Sequence, residues 1–289
     1  MYAEIHLQDG SIAYWNSLLN TGTFSWRWIG FNTGTLPAVN QPISHIFIVP
    51  ILGKATGTAY FDDISAKQFT PQQAAVTLMF DDGELNTFTA AKPVLDQHGF
   101  VGSTAIITSY PDDDPQFMTW NQISQLHAAG WGVSSHTVNH TDLTTMSLAA
   151  AEQELAQSKA TLQTHGFAAN TLALPFGAYN SNLLALAAQY YAAARPYEIG
   201  HNPQGAFPYD IKVRSVVNTT TASEVSSWIQ EAINKKQWIV LTFHKVAPQG
   251  DDEYYTTPAV FQSIIQAVAS SGVAVMNFDQ GVQQFAATP

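Results

Sequence analysis

Hydrophobic and polar positions follow two different rhythms along the chain, and the change falls near Phe69. Before it, short runs such as AEIHL, FSWRWIGF, HIFIVPIL and GTAYFDDIS sit between Gly, Asn and Pro turns without a helical period, which predicts an all-β segment over residues 1–68. After FTPQQ a β-prone run is followed by a helical one, repeatedly: AVTLMF then NTFTAAKPVLDQHG, VGSTAIIT then WNQISQLHAAG, GVSSH then LAAAEQELAQSKATLQTHG. The series continues with TLALP and SNLLALAAQYYAA, IKVRSVV and ASEVSSWIQEAINK, WIVLTFH and PAVFQSIIQAVASSG, and ends with VAVMNF. Strands alternating with helices imply parallel pairing through right-handed crossovers. The expected architecture over residues 69–289 is therefore α/β, a distorted (β/α)7-type barrel whose chemistry gathers at the C-terminal ends of its strands. Gly130, Gly166 and Gly272 fall where helices should stop.

Composition narrows the function classes. Of 289 residues only 11% are charged, and the formal net charge is −11. That balance argues against nucleic acid or an anionic membrane surface as partner. There is no cysteine, hence no disulfide framework and no thiolate site. No apolar run is long enough for a membrane-spanning helix, and MYAEIHLQDG lacks the basic stretch and apolar core of a signal peptide.

The tripeptide FDD occurs twice, and strand position separates the copies. Asp62 and Asp63 lie in the β segment and read as turn residues, whereas Asp81, Asp82 and Gly83 follow AVTLMF at the C-terminal end of the first parallel strand. Consecutive side chains diverge on an extended backbone, so the two carboxyl groups can serve different purposes. At the end of the third strand SSHTVNHTDL places His136 and His140 four apart. On a helical turn that spacing puts both rings on one face, and two histidines with one carboxylate form a recurrent zinc ligand set. His244 ends WIVLTFH and points to the same mouth, and Pro175 to Gly177 break the end of TLALP, with the Phe176 backbone N–H available to the site.

Taken in order, FDDG, HTVNH, PFG and TFH resemble the motifs of the polysaccharide deacetylases, carbohydrate esterase family 4 or NodB homology domain, over roughly residues 70 to 285. The resemblance implies that Asp81 is the general base, that Asp82, His136 and His140 hold a divalent metal, Zn2+ first with Co2+ or Ni2+ also suited, and that His244 is the general acid on the far side of the substrate. It further implies an acetylated polysaccharide or oligosaccharide as substrate, removal of N-acetyl groups from N-acetylglucosamine units, and an extracellular or cell-surface setting. Pro175 and Phe176 would contact the substrate, with the Phe176 N–H facing the oxyanion. An O-acetyl xylan esterase on the same machinery, a noncatalytic glycan-binding protein on a degenerate barrel, and a hydrolase of small cyclic amides are the alternatives. The chain departs from the family pattern in three places. Ala173 stands where the third motif has an Arg that orients the base, and Arg195 in ARPYEIGHN is the candidate replacement. The fourth motif has no match, and Thr242 stands where a Leu is usual, leaving Leu241 as the candidate for the acetyl pocket. The segment 1–68 resembles the last strands of a carbohydrate-binding β-sandwich. Its alternating Phe24, Trp26 and Trp28 form a core face by periodicity, or a sugar platform. The acidic loop SYPDDDPQFMTW reads as a solvated turn, or as a loop that meets the glycan.

Overall fold

The structure is a computed structural model that describes residues 2–7, 12–16, 43–49 and 73–286. The chain separates into two compact units, Met1–Thr70 and Pro71–Pro289. In the first, β1 (Tyr2–Leu7), β2 (Ile12–Asn16) and β3 (Ile43–Val49) form an antiparallel sheet in the order β2-β1-β3. AEIHL lies in β1 and HIFIV in β3, while β2 comes from IAYWN. The expectations placed on Phe24, Trp26, Trp28, Asp62 and Asp63 lie outside the described residues.

The second unit is built on parallel strands: β4 (Ala75–Phe80), β5 (Ser103–Ile106), β6 (Gly132–Ser135), β7 (Thr171–Ala173), β8 (Ala193–Arg195), β9 (Arg214–Ser215) and β10 (Trp238–Phe243). Two short strands, β11 (Lys245–Val246) and β12 (Tyr255–Thr256), pair with each other just past the end of β10. The main sheet runs β8-β7-β6-β5-β4-β10-β9, and β13 (Ala274–Val275) adds to β4. It curls into a half-barrel with helices outside, α1 (Lys92–Gln97), α2 (Trp120–Ala128), α3 (Leu148–Thr164), α4 (Ser181–Tyr190), α5 (Ala222–Lys235) and α6 (Pro258–Ser271). β4 is paired along one whole side by β10, and on the other by β13 at Ala75 and Val76 and by β5 at Met79 and Phe80. The sheet does not hydrogen-bond shut. Between β8 and β9 the chain runs irregularly, with Ala194 N–H donating to the Pro208 carbonyl and Ile211 N–H to that of Ala194.

The near-continuous apolar runs of β4 and β10 reflect burial on both faces. Period 2 splits each strand into two sets. Val76, Leu78 and Phe80 join Ile239, Leu241 and Phe243 in the helix-facing core, together with Leu95, Phe261 and Ile264. Ala75 and Met79 join Trp238 and Val240 in an inner core. Thr77 belongs to this inner set, its hydroxyl accepting from Trp238 Nε1 at 2.9 Å. Extended one step past each strand, the inner parity reaches Asp81 on β4 and His244 on β10. The backbone has thus already aimed both side chains at the barrel axis.

Two elements escape the sequence pattern. The run SNLLALAAQYYAA, which sequence periodicity assigns wholly to a helix, is helical only to Tyr190, where α4 stops, and its last residue, Ala193, already opens the unforeseen strand β8. A final helix, α7 (Phe278–Phe285), follows β13 and closes the N-terminal end of the barrel. Phe278 and Phe285 pack on the Trp238 ring at 5.4 and 6.0 Å, and Phe278 N–H donates to Ser103 Oγ at 2.7 Å. A Cβ on Gly281 would sit 2.3 Å from the Trp238 ring, so any other residue there has to displace that ring.

Candidate active site

With the N-terminal end stopped by α7, the open end of the half-barrel carries the polar groups. Asp81 and Asp82 follow β4 directly. Asp82 takes φ 69° and Gly83 φ 79°, so the chain reverses at once and the two carboxyl groups separate. Gly83 also lies against Ile106, whose Cδ1 a Cβ would meet at 3.1 Å.

Asp82, His136 and His140 offer ligand atoms that lie within 4.8 Å of one another. Asp82 Oδ1 is 3.4 Å from His136 Nε2 and 3.5 Å from His140 Nε2, and this oxygen is buried with no hydrogen-bond donor. His136 Nδ1 lies 2.8 Å from the Ala173 carbonyl, which can only accept, so Nδ1 carries a proton and Nε2 is the nitrogen turned toward Asp82. Burial alone would raise the Asp82 carboxyl. Electrostatic attraction from His136, with His244 and His140 behind it, instead brings it well below the usual carboxylate range. Burial opposes charge on His136, yet Asp82 and Asp81 hold its pKa above the ordinary value. His140 is pushed down to about 4 by burial and by its histidine neighbour, and is therefore a neutral ring ready to ligate. A buried acceptor without a donor, flanked by two imidazole nitrogens, fits a divalent cation.

The two histidines do not meet on a helix, contrary to the expectation from their spacing. Residues 136–140 form a bend in which Thr137 (φ 68°) and His140 (φ 55°) take left-handed conformations, and the rings meet at a 4.6 Å centroid distance. Four of the seven non-glycine residues with positive φ among the described residues, Asp82, Thr137, His140 and Phe176, lie at this site. Such strain persists only where the surroundings impose it. The constraint on 136–140 comes from Glu154 of α3. Its carboxyl oxygens accept from the N–H groups of Val138 (2.9 Å) and Asn139 (3.0 Å) and from Asn139 Nδ2 (2.6 Å). Sequence reasoning missed Glu154. Its signal was an acid on the buried stripe of α3, between Ala151, Leu155 and Ser158.

Asp81 is 4% exposed and lies against Arg195, whose Nη2 donates to Oδ1 at 2.6 Å and to Oδ2 at 2.7 Å. Arg195 is also 4% exposed and is paired in register with Ala173 on the adjoining strand. The cation that the motif would place on β7 therefore arrives from β8 at the same level. His244 Nε2 is 3.8 Å from Asp81 Oδ2. Nothing fits between groups so close as they stand, so the expected placement of a substrate between Asp81 and His244 is not seen in this arrangement. Lys245 reaches Glu84 at 3.4 Å and Val246 N–H donates to Asn86 Oδ1 at 2.8 Å, clipping the segments after β4 and β10 together.

Pro175 is buried beside this site, and Phe176 is 68% exposed with its ring 4.7 Å from that of His140. Leu241 is not at the site. Its parity turns it into the helix-facing core with Phe80 and Phe243, where it is fully buried, and Thr242 is the inward residue, its hydroxyl 3.1 Å from Ser215 Oγ. In the acidic loop Asp112 and Asp114 accept from the backbone of Trp120 and Gln116, as turn residues do.

Fold and site together define a parallel α/β half-barrel with an Asp-His-His cluster that could hold a metal ion and an arginine-held carboxyl group at the C-terminal ends of its strands. Residues 68–194 match the family model described as Polysaccharide deacetylase, and this part of the chain is a polysaccharide deacetylase domain of carbohydrate esterase family 4. Among curated proteins the chain is 36% identical to a gellan lyase from a Bacillus species over 137 residues, 47% of this chain and 5% of that protein. It is 26% identical over 115 residues to YxkH of Bacillus subtilis (strain 168), a polysaccharide deacetylase by name, covering 39% of this chain and 41% of the relative. The chain thus spans well under two thirds of either relative. A solved family 4 acetyl xylan esterase from Clostridium thermocellum shares the fold, with TM-score 0.53, 18% identity, and coverage of 72% of this chain and 90% of that one. No helix among the described residues is long and apolar enough to cross a membrane.

Proposed function

We propose that the chain is a metal-dependent hydrolase that removes N-acetyl groups from polysaccharide or oligosaccharide containing N-acetylglucosamine, chitin-like or related, in an extracellular or cell-surface setting. Residues 69–289 carry the reaction and 1–68 form an accessory β module. The observation that carries this reading is the adjacency of two aspartates with different partners. Asp82 faces two imidazole nitrogens, and Asp81 is gripped by Arg195. An arginine that fixes the plane of a second carboxyl group beside a possible metal site is what a general base there would require.

Asp82, His136 and His140 would hold the ion, and a carboxylate with two imidazoles suits Zn2+, with Co2+ or Ni2+ as substitutes. The chemistry such an ion supplies is electrostatic: it makes water more acidic and an acetyl carbonyl carbon more electrophilic. Asp81 takes a proton from the attacking water. Arg195 fixes the carboxyl plane and leaves the remaining lone pairs for that proton. His244, beside Asp81, delivers a proton to the departing sugar nitrogen, and the Phe176 N–H donates to the oxygen on which negative charge develops.

The test combines metal analysis with acetate release from N-acetylated chitooligosaccharides, acetylxylan and peptidoglycan fragments. The expected result is acetate from the chitooligosaccharides, lost on chelation and restored by Zn2+. Release from acetylxylan alone would replace the amide reading with the ester one. No release from any of the three by metal-loaded protein would sink the proposal.

A further inference from the structure

Large apolar side chains are seldom left in water without a reason when they crowd one place. Among the described residues six are exposed, and three of these are aromatic rings at the open end of the half-barrel, each from a different loop. Phe176 lies on His140. Tyr254, 39% exposed, lies on His244 with ring centroids 4.9 Å apart. Tyr197, 46% exposed, is bound to the Phe176 loop by its backbone. Its N–H donates to the Gly177 carbonyl at 3.2 Å, and a Cβ on Gly177 would meet Tyr197 Cβ at 2.1 Å. Only glycine allows those two loops to approach so closely.

The backbone beneath Tyr254 is held as firmly. Tyr254 N–H donates to Asp252 Oδ1 at 2.8 Å, the Tyr254 carbonyl accepts from Lys245 N–H at 3.3 Å, and the Glu253 carbonyl accepts from Asn218 N–H at 2.9 Å. The Tyr254 hydroxyl is pushed up first by partial burial, then by Glu253, Tyr197 and Asp252. Rings held on fixed backbones lose little freedom when a ligand arrives.

We propose that Tyr197 and Tyr254, with Phe176, form a stacking rim that holds the pyranose rings flanking the acetylated sugar, so that the site selects a chain of sugars over a single one. The inference rests on the deacetylase reading and adds which part of the substrate is recognised. A pyranose presents an apolar C–H face with hydroxyls at its edge, which matches an aromatic face whose quadrupole is negative. A tyrosine adds a hydroxyl that can bond the sugar edge. The mouth is otherwise lined by the reacting groups, and the rim touches two of them, His140 and His244. A ring stacked there continues directly from the reacting centre.

The test measures kcat/KM for N-acetylated glucosamine oligomers from monomer to hexamer, and in parallel their affinity by titration calorimetry. Wild type, Tyr197→Ala, Tyr254→Ala and Tyr254→Phe are compared. For the wild type both quantities should rise with length. Each alanine variant should lower the hexamer-to-dimer ratio by about two- to tenfold, the range of one aromatic contact, and Tyr254→Phe should keep most of it. Equal loss on dimer and hexamer would mean that the rings only support the neighbouring histidines, and would overturn the rim. Absence of any length dependence in the wild type would do the same. If the wild type releases no acetate but affinity still grows with length and falls in the alanine variants, the rim stands and the reaction assigned above is wrong.

Discussion

Two neighbouring aspartates meet different partners because of one backbone angle. The left-handed turn at Asp82 sends its carboxyl group toward His136 and His140, whereas Asp81 continues the inward parity of β4 and meets Arg195. Asp82→Asn should therefore abolish metal uptake, and Asp81→Asn should retain the metal while turnover falls by at least about 100-fold, the usual share of a general base; metal content and acetate release check both. Arg195→Ala removes one member of a buried ion pair, a change that costs about 3–5 kcal/mol of stability. Arg195→Lys keeps the charge but loses the planar fork, so its kcat should fall between wild type and alanine at unchanged metal content. Glu154 acts one step further back. Glu154→Gln leaves the two N–H groups of the 136–140 bend with a weaker acceptor, and metal affinity should drop about 10- to 100-fold, as for other residues that orient ligands. Titration with a competing chelator would read it, and unchanged affinity would reduce Glu154 to a packing residue.

At the level of elements, what could be read from the sequence depended on how strongly each strand was buried. β4 and β10 announce themselves because both faces are covered and every position is apolar or Thr, and their inner parity carries Asp81 and His244 to the site without further information. β8 is three residues, Ala193 to Arg195, with no β-branched or aromatic side chain. Its conformation is imposed by β7 on one side and the Pro208 segment on the other, which no local window contains. The same gap concealed how Arg195 reaches Asp81. The helical expectation for His136 and His140 failed for a related reason: their bend is held by Glu154, distant in sequence. α7 was hidden by Gly281 in mid-helix, a poor helix former that is kept because Trp238 occupies the space of a Cβ. Gly281→Ala should thus destabilise despite its better helix propensity, by about 1–3 kcal/mol as for other overpacked sites. Thermal denaturation decides the sign, and a stabilised variant would show that Trp238 yields.

For the molecule as a whole, a half-buried acid away from the reacting groups ties stability to pH. Asp210 is raised to about 6, chiefly by burial and further by Glu198, against the pull of Lys212. A carboxyl group whose folded pKa lies above its unfolded one binds more protons in the folded state, so stability increases as pH falls from 7 through 6 and levels off near about pH 4. Asp210→Asn should raise stability at neutral pH by about 1 kcal/mol, allowing for solvent access, with the advantage vanishing by about pH 4. Urea titrations at the two pH values would show it, and a constant difference would exclude this group. The double pairing of β4 has a consequence in time. Residues 75 and 76 leave the ribosome well before the strand that completes their side of the sheet, which is made of residues 274 and 275. Until those leave the ribosome, half of the central strand stays an open edge beneath an uncovered Trp238, the kind of surface that pairs with a neighbouring nascent chain. Asp81 and Asp82 are thus among the first residues of their unit to be made, and they rest on a strand that only the last ones complete.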